Sequence, residues 1–132
     1  MTDAKPLTGL HVLVVEDDYL LAEVLASILR EEGADIFGPT PSVAGALRII
    51  EESPHIDFAF LDINLQGESA YPVADALTER SIRYVFATGY DDSMIPNRYA
   101  EVARCLKPVH GPLLIDLCMR ARNAPPVSGR TP

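Results

Sequence analysis

Short apolar runs alternate along this chain with longer segments in which apolar residues recur every three or four positions. The run at 10–15 is β-branched and almost wholly apolar, which is typical of a strand covered on both faces of a sheet. Apolar residues at helical spacing follow this run: Leu20, Leu21, Val24, Leu25, Ile28 and Leu29. Gly33 then stands where a helix end is expected. The same alternation predicts further strands at 34–37, 57–61, 82–87 and 103–106.

Turn and cap signals predict where the remaining helices begin. Ser42 is a plausible cap for a second helix after a turn at 38–41, and Pro72 can open a third because proline is tolerated in a first helical turn. Pro96 and Asn97 interrupt the weak pattern at 91–102, which predicts only a short or irregular fourth helix. A final helix is predicted at 113–122, with Leu114, Leu117 and Cys118 facing inward.

Five strands alternating with about five helices predict an α/β fold, a doubly wound five-stranded parallel sheet with helices on both faces. In such three-layer sandwiches ligands bind beyond the carboxyl ends of the strands, where the strand order reverses. Four of the five predicted strands end in polar residues. We therefore expect the side chains that follow these strands to converge at one edge of the sheet, namely those of Glu16, Asp17, Asp62, Thr88 and Lys107.

The composition is that of a globular protein with one domain. The chain has 132 residues, of which 48% are hydrophobic, and no apolar run approaches the roughly 20 residues of a membrane span. Its amino terminus lacks the apolar core of a signal peptide, so we expect a cytoplasmic protein without membrane contact. The formal net charge of -8 repels a phosphate backbone, so nucleic-acid binding is not expected.

Cysteines and histidines give no sign of a metal or redox site. Cys105 and Cys118 lack the CxxC spacing and are interpreted as buried structural thiols. His11, His55 and His110 are scattered, without a second ligand at helical spacing, and are interpreted as ordinary surface or loop residues.

Several carboxylates at one sheet edge repel one another, so a positive charge must offset them. A hard dication suits an all-oxygen site, and Mg2+ is commonly held by one or two carboxylates with water and phosphate oxygens. Glu16, Asp17 and Asp62 fit this description, and the backbone carbonyl of Asn64 could add a ligand. With the Lys107 ammonium and a hydroxyl from Thr88, the set suits phosphoryl transfer onto a carboxylate.

Four motifs at the predicted strand ends resemble the receiver domain of bacterial response regulators, which has a flavodoxin-like fold. They are, in order, Leu13-Val14-Val15-Glu16-Asp17-Asp18, Phe60-Leu61-Asp62-Ile63-Asn64, Ala87-Thr88-Gly89 and Leu106-Lys107-Pro108. Each motif alone is weak, but four of them in sequence are specific. The resemblance implies a receiver domain at 8–122, and the Pro-rich residues 123–132 are predicted to be a disordered tail.

The resemblance implies a role for each converging residue. Asp62 would be the phosphoacceptor, Glu16 and Asp17 the acidic pair with Asp17 a direct Mg2+ ligand, and Asn64 a ligand through its carbonyl. Thr88 would be the switch hydroxyl, and Lys107 would bind the phosphoryl group, with a cis bond before Pro108. A histidine kinase or phosphotransfer protein would supply the phosphoryl group, which would also be lost to water, and a downstream protein would receive the signal. The protein would not be an enzyme beyond this self-catalysed chemistry.

Three departures from the family pattern stand out. Gln66 occupies a place where many receivers have proline, and Arg104 stands where they carry a switch tyrosine or phenylalanine. The segment between Thr88 and Lys107 is also shorter than is usual in receivers. The run Phe86-Ala87-Thr88-Gly89-Tyr90 resembles a variant found in stand-alone receivers linked to stress signalling, which lack that aromatic residue. Tyr90 or Tyr99 could supply the missing ring, although a plain packing or surface role is the favoured interpretation for each.

Two other functions remain open. A receiver-like binding module that never uses phosphate is compatible with the missing aromatic residue. A metal-dependent phosphatase or dinucleotide enzyme is less compatible, because carboxylates follow the first strand where GxGxxG is needed, and Asn64 stands where an aspartyl phosphatase needs a second aspartate. Each acidic or polar residue could also be a solvated turn residue, and Asp18 is the best candidate for a helix cap.

Overall fold

Five parallel strands form one sheet at the centre of the molecule. The computed structural model describes residues 5–53, 55–89 and 95–123. The strands lie in the order β2-β1-β3-β4-β5 and comprise β1 (His11–Val15), β2 (Asp35–Thr40), β3 (Phe58–Asp62), β4 (Arg83–Thr88) and β5 (Ala103–Leu106). The order reverses between β1 and β3, because the chain crosses from β1 outward to β2 and returns to the other side. The predicted fold class is confirmed.

Helices connect the strands and cover both faces of the sheet. They are α1 (Tyr19–Glu31), α2 (Val43–Glu52), α3 (Tyr71–Glu79) and α4 (Gly111–Asn123). A short antiparallel ribbon, Asn64–Leu65 with Glu68–Ser69, lies between β3 and α3. None of the helices in the described residues is both long and apolar enough to cross a membrane.

Alternation along the buried strands divides the core in two. In β1, Val12 and Val14 pack with the buried residues of α1 and α4, whereas Leu13 and Val15 pack with those of α2 and α3. Successive side chains of a strand point to opposite faces, so one wholly apolar strand serves both layers. Each such side chain contributes about 1.5–3 kcal/mol on burial.

Side-chain caps begin the first two helices. Asp18 accepts a hydrogen bond from the amide of Leu21 at 3.0 Å, and Ser42 accepts one from the amide of Gly45 at 3.0 Å. Such caps contribute about 1 kcal/mol each, and both were predicted. After α1, Gly33 has φ +103° and passes so close to Thr8 that a Cβ atom would lie 2.6 Å from its hydroxyl oxygen. Glycine is therefore required there.

Helix α1 buries less of its apolar surface than its sequence predicts. Leu25 and Leu29 are buried, but Leu20 is 74% exposed and Val24 is 53% exposed. The apolar stripe is wider than the part of the helix that faces the sheet, so sequence periodicity overstated the core at these two positions.

One segment differs from the predicted elements, and another confirms a predicted irregularity. Strand β2 continues through the predicted turn at 38–41 as far as Thr40, with a shift of register against β1 and a cis Gly38–Pro39 bond. An edge strand tolerates proline because its outer amide needs no partner, so the turn signal there was misleading. The described part of 91–102 contains a single turn of 3-10 helix, Asn97–Tyr99, which agrees with the predicted short or irregular helix. The predicted tail began at 123, but Asn123 is the last residue of α4. Residues 90–94 and the rest of the predicted tail, 124–132, lie outside the described residues.

Candidate functional site

Acidic side chains from β1 and β3 meet at the carboxyl edge of the sheet. Val15 and Leu61 pair across these neighbouring strands, so the residues that follow them lie side by side. Glu16, Asp17 and Asp62 each present a carboxylate oxygen, and the three atoms lie within 4.8 Å of one another. This edge adjoins the point where the strand order reverses, which is the usual ligand crevice of such folds.

The ammonium group of Lys107 closes the cluster from the end of β5. Lys107 Nζ donates to Asp62 Oδ2 at 2.7 Å and to Glu16 Oε2 at 3.3 Å. Burial alone would lower the pKa of Lys107, but the hydrogen bond to Asp62 and the charges of Asp62 and Glu16 outweigh it and raise the pKa. The lysine therefore stays charged. Its bond to Pro108 is cis, as the resemblance implied.

Glu16 is a buried carboxylate among charges of its own sign. Only 1% of the residue is exposed. Burial raises the pKa of Glu16 to about 7, a rise that the amide of Asp18 opposes and the charge of Asp62 increases. Oε1 lies 3.2 Å from Lys107 Nζ as an ion pair, yet this buried oxygen accepts no hydrogen bond from any described residue.

These observations show that the cluster suits a hard cation. Three carboxylates face one ammonium group, and one buried oxygen has an unused lone pair. Oxygen ligands of this kind are those that Mg2+ prefers. Burial of charge without a hydrogen-bond partner is costly, so a further positive charge would stabilise the site.

The loop after Asp62 holds Asp17 in place. Asp17 Oδ2 accepts a hydrogen bond from the backbone amide of Gln66 at 2.8 Å. Gln66 has φ +55° and Gly67 has φ +86°, as a tight turn between the two ribbon strands requires. Proline has no amide hydrogen and a φ near -65°, so at this position it could neither adopt the turn nor donate the hydrogen bond to Asp17. The turn and its contact with Asp17 therefore require a residue other than proline, as Gln66 is.

Asn64 and Thr88 occupy the rim of the cluster. The amide of Asn64 donates to Asp62 Oδ1 at 3.1 Å, whereas its side chain accepts from the amide of Gly67 at 3.2 Å. Thr88 ends β4, and its carbonyl accepts a hydrogen bond from the amide of Lys107 at 2.8 Å. The structure thus places both residues next to the acidic cluster.

A buried tyrosine packs against the strand that carries Thr88. Tyr99 is 2% exposed, and its ring lies edge-on to Phe86 and stacks on Tyr71 at a centroid distance of 4.9 Å. Its hydroxyl donates to Asp75 at 2.7 Å. Arg104 donates to the backbone carbonyl of Tyr99 at 3.2 Å. Tyr90, the other candidate ring, lies outside the described residues.

Sequence reasoning missed two features. The Gln66 amide contact has no side-chain signature, although a Gln-Gly pair in a loop is a turn signal. His11 and His55 lie together with Asp57 at the opposite edge of the sheet. His11 and Asp57 are 46 positions apart, so no short sequence spacing links them. The expectation that the histidines are scattered is therefore wrong for this pair.

Comparison with known proteins agrees with the fold and the motifs. The model of the response regulator receiver domain family matches residues 12–107. The chain is 34% identical over 85 residues to the aerobic respiration control protein ArcA of Escherichia coli K12, covering 64% of this chain and 35% of ArcA. It is 35% identical over 86 residues to the sensory transduction protein LytT of Enterococcus faecalis, covering 62% of this chain and 35% of LytT. The chain thus spans about a third of the length of these curated relatives.

Two solved structures match this chain over nearly their whole length. SdrG from Sphingomonas melonis Fr1 is 36% identical with a TM-score of 0.70, covering 90% of this chain and 98% of SdrG. A CheY-like receiver from Methanospirillum hungatei, with 23% identity and a TM-score of 0.73 over 86% of this chain and 94% of its own, shares the fold. The residues matched by the family model include the acidic cluster and Lys107. The chain belongs to the response regulator receiver domain family of two-component systems.

Proposed function

We propose that this receiver domain, spanning residues 8–122, is phosphorylated on Asp62 in a Mg2+-dependent reaction and signals by binding another protein. One contact supports this role above all others. Asp62 is 5% exposed, and its Oδ2 lies 2.7 Å from Lys107 Nζ beside the carboxylates of Glu16 and Asp17. A nucleophile, a fixed positive charge and a cation-binding pair are the groups that transfer onto a carboxylate requires.

The chemistry needs one bond made and one broken. A carboxylate oxygen of Asp62 attacks the phosphorus of a phosphohistidine on a histidine kinase or phosphotransfer protein. The new O–P bond forms as the P–N bond breaks, and the electron pair stays on the imidazole. Lys107 holds the acceptor before the reaction and then faces the phosphoryl oxygens, whose charge it offsets.

Four residues would hold the cation. Glu16, Asp17 and Asp62 supply carboxylates, and Asn64 would add its backbone carbonyl. Bound there, Mg2+ would stabilise the negative charge of the transferring phosphoryl group. The turn at Gln66 fixes Asp17 in advance, so less reorganisation is needed on binding.

Phosphorylation would change the packing of side chains along β4. A phosphoryl group next to Thr88 adds negative charge at the end of this strand, and Tyr99 packs against Phe86 two residues earlier. We assign Tyr99 the position of the missing switch ring. A change of packing there would alter the surface that a downstream protein contacts.

Labelling with acetyl phosphate tests the proposal. With Mg2+ and acetyl phosphate, the intact protein should gain the mass of one phosphoryl group, with acetate as the leaving group. Asp62→Asn should gain none, because an amide is a poor nucleophile. Asp18→Asn is the matched control, since asparagine also caps α1 and Asp18 lies outside the cluster.

Two results would overturn the proposal. Labelling of Asp62→Asn at the wild-type rate would place the acceptor elsewhere. Absence of labelling in the wild type, together with no Mg2+-dependent binding of beryllofluoride, would instead favour the receiver-like module that never uses phosphate. SdrG has also been solved in a BeF3-activated conformation, so the probe acts on a similar protein.

A further inference from the structure

Two histidines and an aspartate meet at the amino edge of the sheet, at the other end of β1 from the acidic cluster. His11 is the first residue of β1, and Asp57 directly precedes β3. The amide of His11 donates to Asp57 Oδ2 at 2.8 Å, and the amide of Asp57 donates to the carbonyl of His11 at 2.8 Å. This pair of bonds fixes the aspartate beside the imidazole. His55, two residues before Asp57, faces the same carboxylate.

The donor atoms have the spacing of metal ligands. His11 Nδ1 lies 3.3 Å from Asp57 Oδ2, and His55 Nε2 lies 2.9 Å from Asp57 Oδ1. One donor atom from each of the three side chains lies within 4.8 Å of the others. A tetrahedral Zn2+ ion with bonds of about 2.0–2.1 Å needs ligands about 3.3 Å apart, so small side-chain rotations would suffice. We propose that His11, His55 and Asp57 form a binding site for a divalent transition metal ion, with Zn2+ as the representative occupant.

The surroundings of His11 support this assignment. Its other ring nitrogen, Nε2, lies 3.7 Å from Asp35 Oδ2, close enough for a small movement to make a hydrogen bond. In the metal-free protein Nδ1 shares a hydrogen bond with Asp57 Oδ2 at 3.3 Å. A metal ion bound at Nδ1 would replace that hydrogen bond and leave the ring proton on Nε2, where the Asp35 carboxylate can accept it. The ring of Phe37 stacks on His11 at a centroid distance of 5.9 Å and restricts its rotation. Two of the three ligands are therefore oriented in advance.

The two clusters should select different ions. Two imidazole nitrogens and one carboxylate suit Zn2+, Co2+ or Ni2+, whereas the three carboxylates of the acidic cluster suit Mg2+. The His55 side chain is 64% exposed, so the ion can enter from solvent. Three protein ligands leave a fourth position for water. The site depends on no step of the proposed phosphorylation.

Calorimetric titration with Zn2+ tests the site. The titration is made on the full chain in excess Mg2+, which occupies the acidic cluster, and is repeated with Co2+, whose visible absorption reports tetrahedral nitrogen ligation. One equivalent of Zn2+ should bind. His55→Gln should raise Kd by at least about 100-fold, since it removes a ligand whose exposed side chain adds little to the stability of the fold. His110→Gln is the matched control, because it removes the third histidine of the chain from a position outside the cluster.

Two outcomes would overturn the proposal. Equal Zn2+ affinity in the wild type and in His55→Gln would show that the histidines only share a hydrogen bond with Asp57. Loss of Zn2+ binding in Asp17→Asn, with retention in His55→Gln, would place the ion in the acidic cluster. Circular dichroism of each variant confirms that its fold is intact. Because phosphorylation needs Asp62 and not these residues, failure of the metal site leaves the labelling experiment unaffected.

Discussion

Replacing Glu16 with glutamine should stabilise the metal-free protein, and only at high pH. Glutamine has the shape of glutamate and can still accept the amide hydrogen bond of Asp18. It removes a negative charge that is buried beside Asp62 and that the Lys107 ammonium group only partly offsets. Burial of a charge without full compensation is unfavourable, so the neutral isostere should be more stable wherever Glu16 is ionised.

The pKa of Glu16 gives the size of the effect and its pH window. In the folded protein the pKa is raised from 4.5 to about 7. A carboxyl group with a raised pKa binds its proton more tightly when folded, so wild-type stability falls as the pH rises through this window. Above it the loss is about 3 kcal/mol, at about 1.4 kcal/mol per pH unit. The side chain is wholly buried, so little solvent screening reduces that figure.

Urea unfolding in EDTA at pH 5 and pH 8 measures the difference. Glu16→Gln should unfold with a free energy within about 1 kcal/mol of the wild type at pH 5, and with about 2–4 kcal/mol more than the wild type at pH 8. Glu51→Gln is the matched control, because it removes the same charge from an exposed position and should change stability by little at either pH. A Glu16→Gln variant that is less stable than the wild type at pH 8, or equally shifted at both pH values, would refute the reasoning.

Two further predictions concern the turn and the thiols. Gln66→Pro should lower the free energy of unfolding in urea by about 1–3 kcal/mol, because proline lacks the amide hydrogen that binds Asp17 and cannot adopt φ +55°. The control Gln66→Gly should stay near the wild type. Equal stability of the two variants would contradict this prediction. Burial raises the pKa of Cys105 to about 11 and that of Cys118 to about 12, so a thiol reagent at pH 8 should modify neither until the protein unfolds, and rapid labelling of the native protein would contradict this.

Most of the fold follows from local pattern in this sequence. Five apolar runs and their helical partners specify the sheet, and the caps at Asp18 and Ser42 begin their helices where predicted. The convergence of Glu16, Asp17, Asp62 and Lys107 also followed, because the carboxyl ends of parallel strands share one edge.

The remaining features depend on contacts between distant residues. Strand β2 passes through Gly38 and Pro39 because pairing with β1 outweighs a local turn signal. Leu20 and Val24 stay exposed because the sheet covers only part of the apolar stripe of α1. The histidine cluster arises from the pairing of β1 with β3, which no short spacing encodes.

Strand β1 ties the packing of this protein to its chemistry through a single register. A deletion of one residue within His11–Val15 would exchange the side chains that face the two helical layers, and it would also withdraw Glu16 and Asp17 from Asp62. An insertion in an outer loop does not disturb both the packing of the sheet and the position of the acidic pair in this way. In evolution, the acidic pair therefore cannot slide along the chain by itself, and length changes in this family should accumulate away from the first strand.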